Sequence, residues 1–125
     1  MIRSVLLVDD NPIIRRALWQ LFTSEDDFDV CGEAANGREA IEKAQELSPD
    51  LIVLDLSMPV MNGIEAARVL RRLMPTVPII IFSGYSYVFS QTEAHSAGIS
   101  ALVAKSESMS ALVAKARVLL DKIAA

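Results

Sequence analysis

Five polar side chains follow short apolar runs in this 125-residue sequence, and their types suit one kind of chemistry. Asp9 and Asp10 follow the first run, Asp55 follows a central one, and Ser83 and Lys105 follow the last two. Carboxylates that crowd together raise one another's pKa unless a cation lies between them. Mg²⁺ is the usual hard cation for a site of carboxylate, carbonyl and water oxygens. A carboxylate beside such a cation, a lysine and a hydroxyl is arranged to attack phosphorus and then to stabilise the phosphoryl oxygens.

These side chains meet only if the apolar runs are parallel strands that end at one edge of a sheet. Short apolar runs rich in β-branched residues are typical of strands buried on both faces. The predicted strands span residues 4–8, 28–33, 51–54, 79–82 and 99–103. The predicted helices span 12–22, 38–47, 64–73 and 85–97, with a last one from 109 onwards. Such alternation predicts an α/β fold with helices on both faces of a parallel sheet, whose ligands bind beyond the carboxyl ends of the strands.

Each polar residue also has an interpretation without chemistry. Asp is a common turn residue, so Asp55 alone is equally consistent with a turn that follows a strand. Lys105 alone is better explained as one half of an ion pair at the sheet edge. The coincidence of suitable groups at four strand ends favours a shared site over both explanations.

The apolar pattern of each helix indicates the face that packs on the sheet. In the first helix, Ile14 and Phe22 fall on the inner face, and Arg15 and Arg16 fall on the outer one. In the last helix the inner stripe extends to Ile123.

Composition predicts one globular domain over residues 1–125, with no output domain and no membrane segment. Hydrophobic residues make up 52% of the chain, charged residues make up 22%, and the net charge is −4. The acidic balance disfavours a nucleic-acid backbone or an anionic membrane as partner. No apolar segment approaches the ~20 residues of a membrane helix, and the N-terminal run is too short for a signal peptide, so a cytoplasmic protein is expected. The lone Cys31 forms no disulfide or zinc cluster and is predicted to be a buried, inert thiol.

The chain resembles the receiver domain of bacterial two-component response regulators over essentially its whole length. The matching motifs are Val8-Asp9-Asp10-Asn11, Asp55-Leu56-Ser57-Met58-Pro59 with Gly63, Ser83-Gly84, and Lys105. The stretch 33–37 and the loop before Asp55 look most like receivers that elsewhere precede a helix-turn-helix output domain. The resemblance implies a flavodoxin-like fold, with a doubly wound five-stranded sheet of order 2-1-3-4-5 and five helices.

The resemblance also implies a role for each acidic residue of the site. Asp55 matches the aspartate that accepts a phosphoryl group from a histidine kinase or a histidine phosphotransfer protein. Asp9 and Asp10 match the pair that positions Mg²⁺, with Asp55 and the backbone carbonyl of Ser57 as further ligands. The implied protein is a phosphoacceptor that assists only its own phosphorylation and dephosphorylation, and is not otherwise an enzyme.

The other matches concern the conformational switch. Ser83 matches the hydroxyl that binds the phosphoryl oxygens, and Lys105 matches the lysine that pairs with them. Leu102 departs from the family, which usually has Tyr or Phe three residues before the lysine. Ser106 replaces a family-typical proline. The resemblance implies a readout face on the fourth helix, fifth strand and fifth helix, which could also support a homodimer.

Two other functions compete with the phosphoacceptor role. A phosphate-independent binding scaffold finds support only in Leu102. A hydrolase of free phosphate esters would need a second acid to protonate the leaving group, and none is evident. Ser57 and Tyr85 match the positions that flank the path of an attacking water. Because neither orients water well, a long-lived phosphorylated state is expected.

Overall fold

The structure of the chain, a computed structural model, describes residues 1–84 and 91–124. The strands are β1 (Arg3–Val8), β2 (Phe28–Ala34), β3 (Leu51–Leu54), β4 (Ile79–Ser83) and β5 (Ala101–Ala104). The helices are α1 (Pro12–Thr23), α2 (Gly37–Leu47), α3 (Gly63–Leu73), α4 (Gln91–Ser96) and α5 (Met109–Ala124). Tyr85 and the first part of the helix predicted over 85–97 lie outside the described residues.

The five strands form one parallel sheet in the order β2-β1-β3-β4-β5, as the family resemblance implied. The strand ends are level with one another, because Val8 pairs with Leu54, and Ser83 pairs with Ala104. Asp9 and Asp55 therefore leave the sheet side by side, and Lys105 follows β5 at the same edge. Strand register thus brings together residues that are far apart in sequence.

Both faces of the sheet are buried, which explains the unbroken apolar runs. All four residues of β3 are buried. Ile52 and Leu54 face a core that includes α2 and α3, whereas Leu51 and Val53 face a core that includes α1 and α5. Asp55 therefore stands at the end of a strand that packing holds on both sides.

Asparagine caps begin the first three helices. The side chain of Asn11 accepts hydrogen bonds from the backbone N–H groups of Ile13 and Ile14. Asn36 caps α2, and Asn62 begins α3 in a capping box with Glu65. Each cap satisfies backbone donors that the first helical turn leaves unpaired and contributes about 1 kcal/mol. The caps therefore help fix where the loops at the functional edge end and the helices begin.

The last strand begins two residues later than predicted. The backbone N–H of Ile99 donates to the carbonyl of Ala94, which closes the end of α4 and does not add to the sheet. Gly98 supplies the left-handed turn there, with φ of 83°. The predicted strand over 99–103 was therefore wrong at its start, because the apolar Ile99 packs in the core without being in a strand.

Two predicted burials were also wrong. Ile123 is 49% exposed, because the inner stripe of α5 ends a turn earlier. Cys31 is half-buried on the edge strand β2, and its thiol lies 3.4 Å from the carbonyl oxygen of Val5. Burial still raises the pKa of the Cys31 thiol, which disfavours the reactive thiolate. Among the helices described, none has the length and apolar character needed to cross a membrane.

Candidate functional site

The carboxyl ends of the strands surround a cleft of about 430 Å³. The cleft is lined by Asp9, Asp10, Asn11, Asp55, Ser57, Ser83, Gly84 and Lys105. Oxygen atoms of Asp9, Asp10 and Asp55 all lie within 4.8 Å of one another. The structure therefore brings together every residue that the sequence singled out for this edge.

Asp9 is the most constrained of the three acids. It is only 1% exposed. Its Oδ1 accepts from the backbone N–H of Asn11 at 2.9 Å, and its Oδ2 accepts from Nζ of Lys105 at 3.2 Å. Its own N–H donates to the carbonyl of Ala34 on β2 at 3.1 Å. Asp9 is thus held by groups from three separate parts of the chain.

Asp55 combines burial with an incompletely compensated charge. Its side chain is 7% exposed, and its Oδ1 lies 3.4 Å from Nζ of Lys105. Burial and the nearby charge of Asp9 raise the pKa of Asp55 to about 6, although Lys105 opposes the shift. Burial disfavours the charge of Lys105, but the attraction of Asp55 and Asp9 outweighs it, so the pKa of Lys105 is raised. Both groups are therefore charged at pH 7.

Asp10 differs from the other two acids in being exposed to solvent, and no hydrogen bond to its side chain forms within residues 1–84 and 91–124. Its carboxylate oxygens therefore remain available to solvent or to a bound cation. Three carboxylates against one lysine leave an excess of negative charge, and all their donor atoms are oxygen. This donor set fits a hard divalent cation such as Mg²⁺.

The loop after Asp55 is fixed by close packing and one strained residue. A Cβ on Gly63 would overlap the carbonyl oxygen of Asp55 and lie 2.9 Å from Cα of Leu56. Val60 has φ of 69°, and the N–H of Met61 donates to the carbonyl of Pro59 across it at 2.7 Å. A bond between residues i and i+2 at this φ forms a classic γ-turn, which is rare for a β-branched residue.

Ser83 and Lys105 are coupled through the backbone. Ser83 is fully buried as the last residue of β4, so the strand extends one residue beyond the predicted end. Its carbonyl accepts from the N–H of Lys105 at 2.9 Å, which fixes the start of the lysine loop. Leu102, three residues before Lys105 on β5, is half-buried and lines a separate cleft of about 680 Å³ together with residues of α4 and α5.

The hydrophobic pattern placed Arg15 on the outer face of α1, and this was wrong. Nη1 of Arg15 donates to the backbone carbonyl of Asp9 at 2.7 Å, and Nε donates to Glu33 at 3.2 Å. The periodicity of apolar residues cannot detect this contact. It distinguishes the polar face of a helix from the apolar face, but it cannot tell whether a polar residue faces solvent or the functional site. The one available signal was its position at the end of the first turn of a helix that starts beside Asp9.

Comparison with known proteins identifies the family. The model of the response regulator receiver domain matches residues 5–117. The chain belongs to the response regulator receiver domain family. Chemotaxis protein CheY of Thermotoga maritima is 39% identical over 103 residues, which are 82% of this chain and 85% of that protein. The receiver identity also accounts for the acidic cleft, since receivers of this family typically bind Mg²⁺ at such a pocket.

Receivers from several kinds of regulator resemble the chain. A LuxR-family two-component response regulator from Aurantimonas sp. SI85-9A1 superposes with a TM-score of 0.90 at 33% identity, over 98% of this chain and 87% of that one. A protein-glutamate methylesterase/protein-glutamine glutaminase of Methanosarcina acetivorans is 39% identical over 120 residues, covering 94% of this chain. The chain spans only 34% of the length of that relative, so most of the methylesterase has no counterpart in the matched region.

Proposed function

We propose that this receiver domain accepts a phosphoryl group on Asp55 from a phosphohistidine of a histidine kinase or a histidine phosphotransfer protein. The observation that carries the proposal is the contact of a nearly buried Asp55 carboxylate with Lys105, beside Asp9 and Asp10. The family acts in two-component signalling, and the comparisons give no support for a phosphate-independent scaffold.

The proposed transfer uses groups already in place. An Oδ atom of Asp55 attacks phosphorus, an O–P bond forms, and the P–N bond to the donor imidazole breaks. The electron pair of that bond stays on the imidazole nitrogen, and the donor leaves as a neutral imidazole because its other ring nitrogen carries a proton. The pKa of Asp55 is about 6 with no cation bound, so most molecules are ionised at pH 7, and a bound cation would favour the ionised, nucleophilic carboxylate further.

Lys105 has two proposed roles in this step. Before transfer, it stabilises the ionised Asp55 at 3.4 Å. After transfer, Asp55 carries roughly −1.5 to −2 charges as an aspartyl phosphate, and the ammonium group pairs with phosphoryl oxygens. The buried Asp9 holds Lys105 at 3.2 Å throughout, so the lysine is positioned by a group that does not react.

The proposed magnesium site consists of Asp9, Asp10, Asp55 and the backbone carbonyl of Ser57. When bound, the cation neutralises the excess carboxylate charge and the charge of the incoming phosphoryl group. Asp10 offers two free oxygens, and Ser57 lines the same cleft. Removal of the cation should therefore slow phosphorylation without unfolding the domain.

We further propose that Ser83 is the switch residue and that the surface of α4, β5 and α5 carries the signal to a partner or a second copy of the chain. Ser83 is the last residue of β4, and α4 is the next element along the chain. Leu102 replaces the usual aromatic residue, so the serine and the lysine carry the switch. The proposal includes a cytoplasmic location and no nucleic-acid contact by this chain, in keeping with its net charge of −4.

The test is labelling by a small phosphodonor. The protein is incubated with acetyl phosphate and Mg²⁺, and its intact mass is measured. We expect one phosphoryl adduct per chain, labile to hydroxylamine as an acyl phosphate is, and no adduct on Asp55→Asn. A folded protein that gains no adduct would support the scaffold function, and sustained consumption of acetyl phosphate without an adduct would support the hydrolase.

A further inference from the structure

Asp10 raises a question that its own contacts do not answer. It contributes oxygen to the acidic cluster, yet it is exposed, and its side chain has no hydrogen bond within the described part of the chain. Asp9, in contrast, is held at both carboxylate oxygens. A metal ligand without side-chain support has to be positioned through its backbone.

Arg15 bonds the backbone on the N-terminal side of Asp10. The carbonyl group of Asp9 and the N–H and Cα of Asp10 belong to one planar peptide unit. Nη1 of Arg15 donates to that carbonyl at 2.7 Å, a short, charge-assisted bond. The N–H of Asp9 still pairs with Ala34 of β2, but its carbonyl has left the sheet, so Arg15 supplies the partner that a strand would otherwise provide.

Arg15 is itself held in place. Its Nε donates to Oε1 of Glu33 at 3.2 Å, and its side chain is 22% exposed. Its backbone N–H donates to the carbonyl of Asn11, within the first turn of α1. A planar guanidinium that bonds Glu33 and the Asp9 carbonyl together has little rotational freedom, because both bonds fix the same plane.

We propose that Arg15 is a positioning residue of the magnesium site: it orients the Asp9–Asp10 peptide plane and thereby aims the Asp10 carboxylate at the cation. Glu33 supports it by holding the guanidinium. The inference rests on the proposed magnesium site, which it deepens. The proposal gives the positively charged Arg15 a role that strengthens Mg²⁺ binding, whereas its charge alone would be expected to weaken binding.

Electrostatic repulsion and ligand positioning predict opposite changes in Mg²⁺ affinity for Arg15→Ala. Removal of a positive charge near a Mg²⁺ site strengthens Mg²⁺ binding if Coulomb repulsion is the main effect. Loss of the peptide anchor weakens binding, because groups that orient metal ligands typically contribute about 10–100-fold to affinity. Arg16→Ala is the matched control. Arg16 has the same charge on the same helix, and its guanidinium packs over Trp19 at 5.4 Å.

The experiment is an Mg²⁺ titration followed by backbone amide shifts in ¹⁵N-HSQC spectra, with wild type, Arg15→Ala, Arg15→Lys, Arg16→Ala and Asp10→Ala. We expect Arg15→Ala to raise the Kd for Mg²⁺ about tenfold, with dispersed spectra that show an intact fold. Arg15→Lys should recover part of the affinity, since lysine can still donate to the carbonyl. Arg16→Ala should match wild type or bind slightly tighter. An Arg15→Ala Kd equal to that of Arg16→Ala, or lower than it, would overturn the inference.

The double variant Arg15→Ala/Asp10→Ala separates positioning from a general effect on the fold. If Arg15 acts through Asp10, its removal should change the Kd little once Asp10 is absent. An equal loss in both backgrounds would contradict positioning. If wild type and Asp10→Ala bind Mg²⁺ equally, the magnesium site itself fails. If Asp10→Ala weakens binding but Arg15→Ala does not, the site stands and only the role of Arg15 fails.

Discussion

At the scale of single residues, the site concentrates charge that the fold only partly compensates. Asp9 and Asp55 are both nearly buried, and they share one ammonium group, that of Lys105. Burial and like charge raise the pKa of Asp55 to about 6, so ionised Asp55 costs the folded chain stability at neutral pH. The same excess of negative charge attracts a cation, and the bound cation in turn attracts a phosphoryl group.

This cost predicts that Asp55→Asn is more stable than wild type at pH 7 in the presence of a chelator. A carboxylate with a raised folded pKa loses stability as the pH rises from its unfolded value of 3.8 to about 6, and the loss is complete above that range. The neutral amide of Asp55→Asn does not carry this destabilising charge. We therefore expect its free energy of unfolding to exceed that of wild type by an amount on the order of 1–2 kcal/mol at pH 7, and by less towards pH 4. Urea unfolding at both pH values measures this difference.

Mg²⁺ provides the control for that measurement. The cation should stabilise wild type more than Asp55→Asn, and so narrow the gap between them. A variant that is less stable than wild type at both pH values would show that the lost ion pair with Lys105 outweighs the relief of charge.

Arg15 shows where sequence reasoning stops at the residue scale. The shared position of Asp9, Asp10, Asp55, Ser83 and Lys105 in one cleft could be predicted, because each follows an apolar run and strand ends meet at one edge of a parallel sheet. The reach of a long side chain back to a backbone carbonyl leaves no periodic trace. The half-exposed positions of Cys31 and Ile123 were missed for a related reason, since a pattern indicates a face but not how far the neighbouring elements cover it.

At the scale of elements, the loop between β3 and α3 sets the position of the phosphoacceptor. The backbone N–H of Gly63 donates a hydrogen bond to the carbonyl of Leu56 at 2.8 Å, which brings the start of α3 against the backbone of Asp55. The close approach leaves no room for a side chain at Gly63. The glycine is therefore required by packing, and not by a left-handed conformation.

Gly63→Ala should therefore destabilise the domain by about 1–3 kcal/mol, because overpacking forces the backbone of Asp55 or of α3 to move. Gly84→Ala is a matched control at the same edge of the sheet, since a Cβ there meets no atom of residues 1–84 and 91–124 within 4 Å. We expect the control to change the free energy of unfolding by less than about 0.5 kcal/mol. Equal changes in the free energy of unfolding for the two substitutions would show that the loop accommodates a methyl group at position 63 without destabilising the domain.

A second element contact joins α5 to the loop between α1 and β2. Arg117 bonds Asp27 at 2.8 Å and Glu25 at 2.7 Å, and its guanidinium lies over the ring of Phe28 at 5.8 Å. Hydrogen bonds from Arg117 lower the pKa of Asp27. Because a lowered carboxylate pKa stabilises the folded state, this contribution is present above the unfolded value of 3.8 and is lost as the pH falls through the folded pKa.

Arg117→Ala should consequently lower the urea midpoint at pH 7, and less so at pH 3 or in high salt, because the pair is exposed and screened. Lys115→Ala, a charge removal from the exposed face of the same helix, serves as the control. A pH-independent loss would assign the contribution of Arg117 to its packing on Phe28 and not to the ion pairs.

At the scale of the whole molecule, the order of the strands could be expected from the family resemblance, and the alternation of elements from the residues themselves. The four-residue β3 and the five-residue β4 are buried on both faces, which gives the clearest sequence signal. The start of β5 could not be predicted, since Ile99 packs in the same core whether it belongs to the strand or to the end of α4. The sheet then converts separate strand ends into one site, with α5 and α1 on one face and α2 and α3 on the other.

The central claim is that Asp55 is the residue that carries the phosphoryl group, and mapping the adduct tests it most directly. The protein is labelled with acetyl phosphate and Mg²⁺, reduced with borohydride to convert an aspartyl phosphate to homoserine, digested, and sequenced by tandem mass spectrometry. We predict that Asp55 alone is converted, and that omission of the phosphodonor abolishes the conversion. Conversion of Asp9 or Asp10 in its place, or a folded protein with no converted aspartate, would contradict the assignment.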